Sequence, residues 1–137
     1  MIVGCIIQYQ SKILLAKRGI EPRKDYWNLP CGFMENNETA EEGAIREVME
    51  ETGMEVEIIS LHTVFSVPQS NQVYLIFLAS SKDDVFQLTD ESVEIEFFEE
   101  KSIPWTEIAF SSNTFALENY FQKDKRKSNL VFIGKHQ

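Results

Sequence analysis

Three glutamates constrain this chain more than any other feature: Glu47, Glu50 and Glu51 stand at i, i+3 and i+4 in one short segment. If that segment is helical, their carboxylates share a face within roughly 100° of arc. The ends of the segment predict the helix. Thr39 is a favourable N-cap, Glu42 three residues on completes a capping box, and Gly53 after Thr52 supplies the glycine that ends a helix in the left-handed conformation. Like charges so spaced cost an isolated helix a few tenths of a kcal/mol per pair, so their convergence implies a cation among them. Oxygen ligands of this kind suit a hard divalent ion, Mg²⁺ or Mn²⁺.

The rest of the chain limits what such a site can serve. At 137 residues the sequence suits a single domain, residues 1–137, and with 43% apolar and 12% aromatic residues it can bury a core. No run approaches the roughly 18 apolar residues of a membrane span, and the start, Met1 to Ile7, lacks a basic leader, so a cytoplasmic protein with no membrane partner is expected. Cys5 and Cys31 form neither a disulfide framework nor a zinc pattern and read as small apolar residues. A net charge of −9 argues against a duplex nucleic acid partner. A small anion can still bind where metal ions and a few local cations reverse the sign of the pocket.

Hydrophobic patterning predicts a hairpin from residues 2–7 and 12–17 across Gln10-Ser11, then a polar loop over 18–25 carrying Arg18, Arg23 and Lys24. Beyond the glutamate segment, 54–66 and 72–79 read as antiparallel strands, 93–98 as a further strand, 103–108 as a short helical turn, and 114–123 as a helix capped by Ser112 or Asn113. Lys123 to Lys127 reads as a solvated helix end and 130–133 as an edge strand. His62 and His136 lack ligand spacing and read as structural or solvated.

The spacing Gly32, five residues, Glu38, seven residues, Arg46-Glu47-Val48-Met49-Glu50-Glu51-Thr52-Gly53-Met54 resembles the signature of the Nudix hydrolases, with each position filled from 32 to 54. That resemblance implies an α/β fold, an α/β/α sandwich around a mixed sheet, and hydrolysis of the pyrophosphate in a nucleoside diphosphate linked to another moiety. It also implies that Glu47, Glu50, Glu51 and the Gly32 carbonyl hold metal, that Glu38 and Arg46 pair to orient the helix, and that Glu50 or a later glutamate acts as base. Glu94 is the preferred later candidate, ahead of Glu91.

Trp27-Asn28-Leu29-Pro30-Cys31-Gly32, with the flanking Arg18 to Arg23 loop and Gly32-Phe33-Met34-Glu35, is similar to the branch that cleaves ADP-ribose and FAD. Members of that branch often carry a zinc ribbon ahead of the domain, which this sequence does not contain. The likeness implies ADP-ribose or a related dinucleotide, FAD or NADH, as substrate. Arg18 and Arg23 could then meet the outer phosphate oxygens, and Trp27, Tyr26 or Phe110 the base, although for Trp27, beside a Pro-Gly turn, packing in the core is the favoured reading. Two alternatives stay open, a nucleoside triphosphate pyrophosphohydrolase and a non-catalytic domain that senses a nucleotide. A homodimer is also left open.

Overall fold

The first strand, β1 (Ile2–Tyr9), is buried from Ile2 to Ile7, so both of its faces need cover and it belongs inside a sheet. A computed structural model, describing residues 1–122 and 130–137, shows how that cover is built. The expectation for Lys123 to Lys127 lies outside the described residues. β6 (Gln72–Ser81) runs parallel to β1 from Ile2 to Gln8 and fills one edge. The other edge is divided. β2 (Lys12–Arg18) pairs with its end at Gln8 and Tyr9, and β4 (Cys31–Phe33) with its beginning at Ile2 to Gly4. β2 is shared in the same way, by β3 (Trp27–Asn28) near one end and by β7 (Ser92–Phe98) along the other edge. The β1–β2 hairpin therefore splays, and the segment from Trp27 to Phe33 wedges into the opening. Gly4 permits this, because a Cβ there would collide with the Cys31 Cβ and the Pro30 carbonyl.

β5 (Val56–Val67) lies antiparallel to β6, and β8 (Phe132–Lys135) parallel to β5 at the edge of the eight-stranded mixed sheet. α1 (Ala40–Thr52) covers one face, where Val3, Cys5, Ile7, Leu14 and Ala16 meet Ala44 and Val48. Alternate residues Ile2, Ile6, Ile13 and Leu15 point the other way and join Trp27, Leu29 and Phe65 beneath Ala116 and Leu117 of α2 (Ser111–Tyr120). The result is the α/β/α sandwich that the resemblance implied. Among the described residues no helix is long and apolar enough to cross a membrane.

Several boundaries differ from those the sequence suggests. Gln10 and Ser11 both take positive φ, 50° and 65°, so the hairpin closes in a type I′ manner without glycine. The turn over 103–108 is a 3₁₀ turn at Trp105–Glu107, preceded by another at Glu100–Ser102. β8 begins two residues later than the edge strand expected over 130–133. α2 begins at Ser111 rather than Thr114, its N-cap is Phe110, and no side chain caps it. Ser112 and Asn113 lie in its first turn at 1% and 0% exposure, where Asn113 is committed to another bond.

His62 is buried against Tyr120 and Phe132, with Nδ1 2.7 Å from Thr63 Oγ1. Burial lowers its pKa to about 4. The unfolded chain therefore binds a proton near pH 6.5 that the folded chain refuses until about pH 4. Stability from this group is complete above pH 6.5 and is lost as pH falls towards 4, a difference of roughly 3 kcal/mol at most. Chemical denaturation of wild type and His62→Asn at pH 7.5 and 5 should show a steeper loss in wild type. Equal slopes would contradict this account of His62.

Candidate active site

α1 is set at both ends by local chemistry. Thr39 Oγ1 accepts the Glu42 N–H at 3.1 Å, Glu42 Oε1 accepts the Thr39 N–H at 2.8 Å, and Gly53 closes the far end with φ 71°. One side chain then organises the acidic face. Arg46 donates to both oxygens of Glu38, Nη2 to Oε1 at 2.8 Å and Nε to Oε2 at 3.0 Å. Its Nη1 donates to Glu47 Oε1 at 2.9 Å and Glu50 Oε1 at 3.2 Å, and its Nη2 also reaches the Phe33 carbonyl at 3.0 Å. The Arg46 guanidinium beside Glu38, with the Glu35 N–H, pulls that carboxyl down to about 2. Arg46 therefore fastens α1 to the loop that follows β4.

Glu51 does the opposite and turns inward. It is 7% exposed, and its Oε2 has no hydrogen-bond partner. Burial first, then the charges of Glu47 and Glu91, raise its pKa to about 9. Burial also raises that of Glu47, against the pull of Arg46. An orphaned, buried carboxylate oxygen is costly unless a cation meets it. Gly32 completes the cradle from β4, since a Cβ at that position would overlap the Glu47 carboxylate. The donor set of Glu47, Glu50, Glu51 and the Gly32 carbonyl is all oxygen, which fits a hard divalent cation. Among the described residues no three His, Cys, Asp or Glu side chains already converge into a metal cage. Glu47 and Glu50 are paired with Arg46, while Glu51 is buried.

These groups line a cleft of about 620 Å³. Glu35, Glu47, Glu50, Glu51 and Glu91 line it together with Arg18 and Arg46. Ile20, Pro22, Phe33 and Phe110 add apolar surface. The cleft thus brings an acidic patch, two arginines and aromatic faces into one volume.

Residues 1–117 match the NUDIX domain family. The chain belongs to that family. It is 36% identical over 106 residues to the "ADP-ribose pyrophosphatase" of Methanocaldococcus jannaschii, covering 74% of this chain and 63% of that protein. It is 30% identical over 96 residues to a "MutT-like protein" of Streptomyces ambofaciens, covering 70% and 60%. These matches therefore span somewhat less than two thirds of the relatives' own length. Among solved structures, a NUDIX hydrolase from Nitrosomonas europaea superposes with a TM-score of 0.92 at 43% identity, over 98% of this chain and 77% of that one.

Within this Nudix domain the other candidate residues divide. Arg18 lines the cleft, its Cζ 5.1 Å from the centroid of the Phe110 ring and its Nε donating to the Pro22 carbonyl at 2.7 Å. Arg23 is not among the cleft residues. Its Nε donates to the Ala109 carbonyl at 3.1 Å and its guanidinium lies 4.2 Å from the Tyr26 ring centroid, so it fastens the loop. Trp27 is 6% exposed and packs edge-on against Phe98 at 5.0 Å, which leaves no free face for a base. Glu94 sits on β7 opposite Lys17 and does not line the cleft. Glu91, ranked below it on sequence, does line the cleft, because its carbonyl accepts the Gly19 N–H at 2.9 Å in the turn that enters β7.

Sequence reasoning passed over several lining residues: Asn28, Cys31, Phe33, Gln72 and Tyr74. Only the Trp-x-Leu-Pro-x-Gly run offered a signal for the first two. Burial, and then the Glu51 and Glu47 charges, push the Cys31 thiol far above its ordinary range, so it is a neutral wall and not a nucleophile.

Proposed function

We propose that this Nudix domain, read as a single unit over 1–137, hydrolyses the pyrophosphate of a nucleoside diphosphate linked to another moiety, with ADP-ribose or a related dinucleotide as the preferred substrate. The observation that carries the reading is Glu51 Oε2, buried and unpartnered in the cleft that Glu47, Glu50, Glu91 and Arg18 also line. The name of the M. jannaschii relative supports the choice of ADP-ribose.

In this proposal Glu47, Glu50, Glu51 and the Gly32 carbonyl hold one or more Mg²⁺ or Mn²⁺ ions. Such an ion supplies charge screening for the pyrophosphate and acidifies a nearby water. The residues of the chain do the rest. Arg46, tied to Glu38, holds Glu47 and Glu50 in place. Glu50 or Glu91 takes a proton from the water as its oxygen bonds to one phosphorus, the bridging P–O bond to that phosphorus breaks, and the two phosphate monoesters leave. Arg18 donates to the outer phosphate oxygens and, with Phe110, forms a surface for the base. A cytoplasmic location remains part of the proposal.

The division between the two arginines is testable by steady-state kinetics on ADP-ribose. Arg18→Ala should raise KM about tenfold or more, from loss of charge-assisted hydrogen bonds worth about 1.5–3 kcal/mol. Arg23→Ala should lower thermal stability while leaving KM near that of wild type. A rise in KM confined to Arg23→Ala would reverse the assignment.

A further inference from the structure

The segment between β3 and β4 carries Gly32 to its place against Glu47, and its backbone is anchored at two points. On one side the Cys5 N–H of β1 donates to the Pro30 carbonyl at 3.1 Å. On the other, the Leu29 N–H donates to Asn113 Oδ1 at 2.8 Å, across 84 residues of chain. The second anchor replaces a missing strand bond. Trp27 and Ile108 form a parallel bridge, and the Ala109 N–H donates to the Trp27 carbonyl at 2.8 Å. In a continuing parallel ladder the next bond would run from the Leu29 N–H to the Ala109 carbonyl. That carbonyl is taken by Arg23, and the chain turns into α2 two residues later. The Asn113 side chain supplies the carbonyl instead.

The amide is well fixed for this. Asn113 is 0% exposed and Nδ2 donates to Ser112 Oγ at 3.1 Å, which leaves Oδ1 towards Leu29. Leu29 is itself fully buried, so no water can take over its N–H. Beside it, Asn28 Nδ2 donates to the Leu29 carbonyl at 2.9 Å from the wall of the cleft.

We propose that Asn113 is a positioning residue for the cation cradle: by completing the β3 ladder it sets Leu29-Pro30-Cys31, and hence the Gly32 carbonyl, against Glu47 and Glu51. The proposal rests on the metal-dependent reading above. It reaches the site through Leu29, without touching substrate, and it links the first turn of α2 to the metal-binding face of α1.

The test titrates Mn²⁺ alone into substrate-free protein, followed by electron paramagnetic resonance, for wild type, Asn113→Leu, Asn113→Asp and Ala116→Gly. The last variant weakens α2 at another fully buried position and serves as the stability control. Asn113→Leu should bind Mn²⁺ about tenfold more weakly, with kcat reduced by a similar factor and KM for ADP-ribose little changed. Asn113→Asp keeps an oxygen acceptor and should stay closer to wild type. Ala116→Gly should lose thermal stability but keep its Mn²⁺ affinity. Wild-type Mn²⁺ affinity in Asn113→Leu, or an equal loss in Ala116→Gly, overturns the positioning role alone. Failure of wild type to bind Mn²⁺ overturns the metal reading, and the positioning role with it.

Discussion

Glu51→Gln should lower kcat/KM on the preferred substrate by roughly 10³-fold or more, and should at the same time make the metal-free protein more stable. The two effects share one cause. Glu51 is 7% exposed with an unpartnered oxygen, and its pKa stands near 9 instead of the ordinary 4.5. The unfolded chain releases this proton near pH 4.5, whereas the folded, metal-free chain keeps it until about pH 9. Stability from the group is therefore complete below 4.5 and declines as pH rises to 9. Glutamine has no charge to bury at any pH. In excess chelator at pH 8, Glu51→Gln should thus melt several degrees above wild type, and the gap should close as pH approaches 5. A variant that lost activity and stability together would mark Glu51 as a structural residue.

Gly32→Ala should cost about 100-fold in kcat with little loss of stability. Its Cβ would overlap the Glu47 carboxylate, the free end of a long side chain that can swing aside. Backbone and core stay where they are, while the carboxylate moves by a distance on the scale that typically costs catalysis that much. The melting temperature of Gly32→Ala should therefore lie within a few degrees of wild type. Full activity in this variant would show that the bare Cα is not needed to place Glu47.

What could be read from the chain follows from which interactions are local. Thr39, Glu42 and Gly53 act within a few residues of one another, so the helix and the shared face of its glutamates were visible before any fold was known. The pairing of Arg46 with Glu38 was implied by the resemblance to the signature that holds them eight residues apart. β3 and β4 were not. Strands of two and three residues are too short to show alternation, and they exist because the splayed hairpin opens a slot for them. Glu91, placed below Glu94 on sequence, lines the cleft where Glu94 does not, since the turn before β7 is tied to Gly19. Asn113 resembled a helix cap because asparagine favours that position, and only the long-range approach of Leu29 reveals its use. Trp27 and Arg23 were drawn towards the substrate by their chemistry, yet Phe98 and the Ala109 carbonyl claim them.

The central claim, that the cleft carboxylates hold a divalent ion and cleave a nucleoside diphosphate derivative, is tested most directly by ³¹P NMR of ADP-ribose incubated with the protein and Mg²⁺. The account predicts loss of the two pyrophosphate resonances, growth of those of AMP and ribose 5-phosphate, and no change in excess chelator. Persistence of the pyrophosphate resonances with Mg²⁺ or Mn²⁺, together with no turnover of FAD, NADH or nucleoside triphosphates, would contradict it.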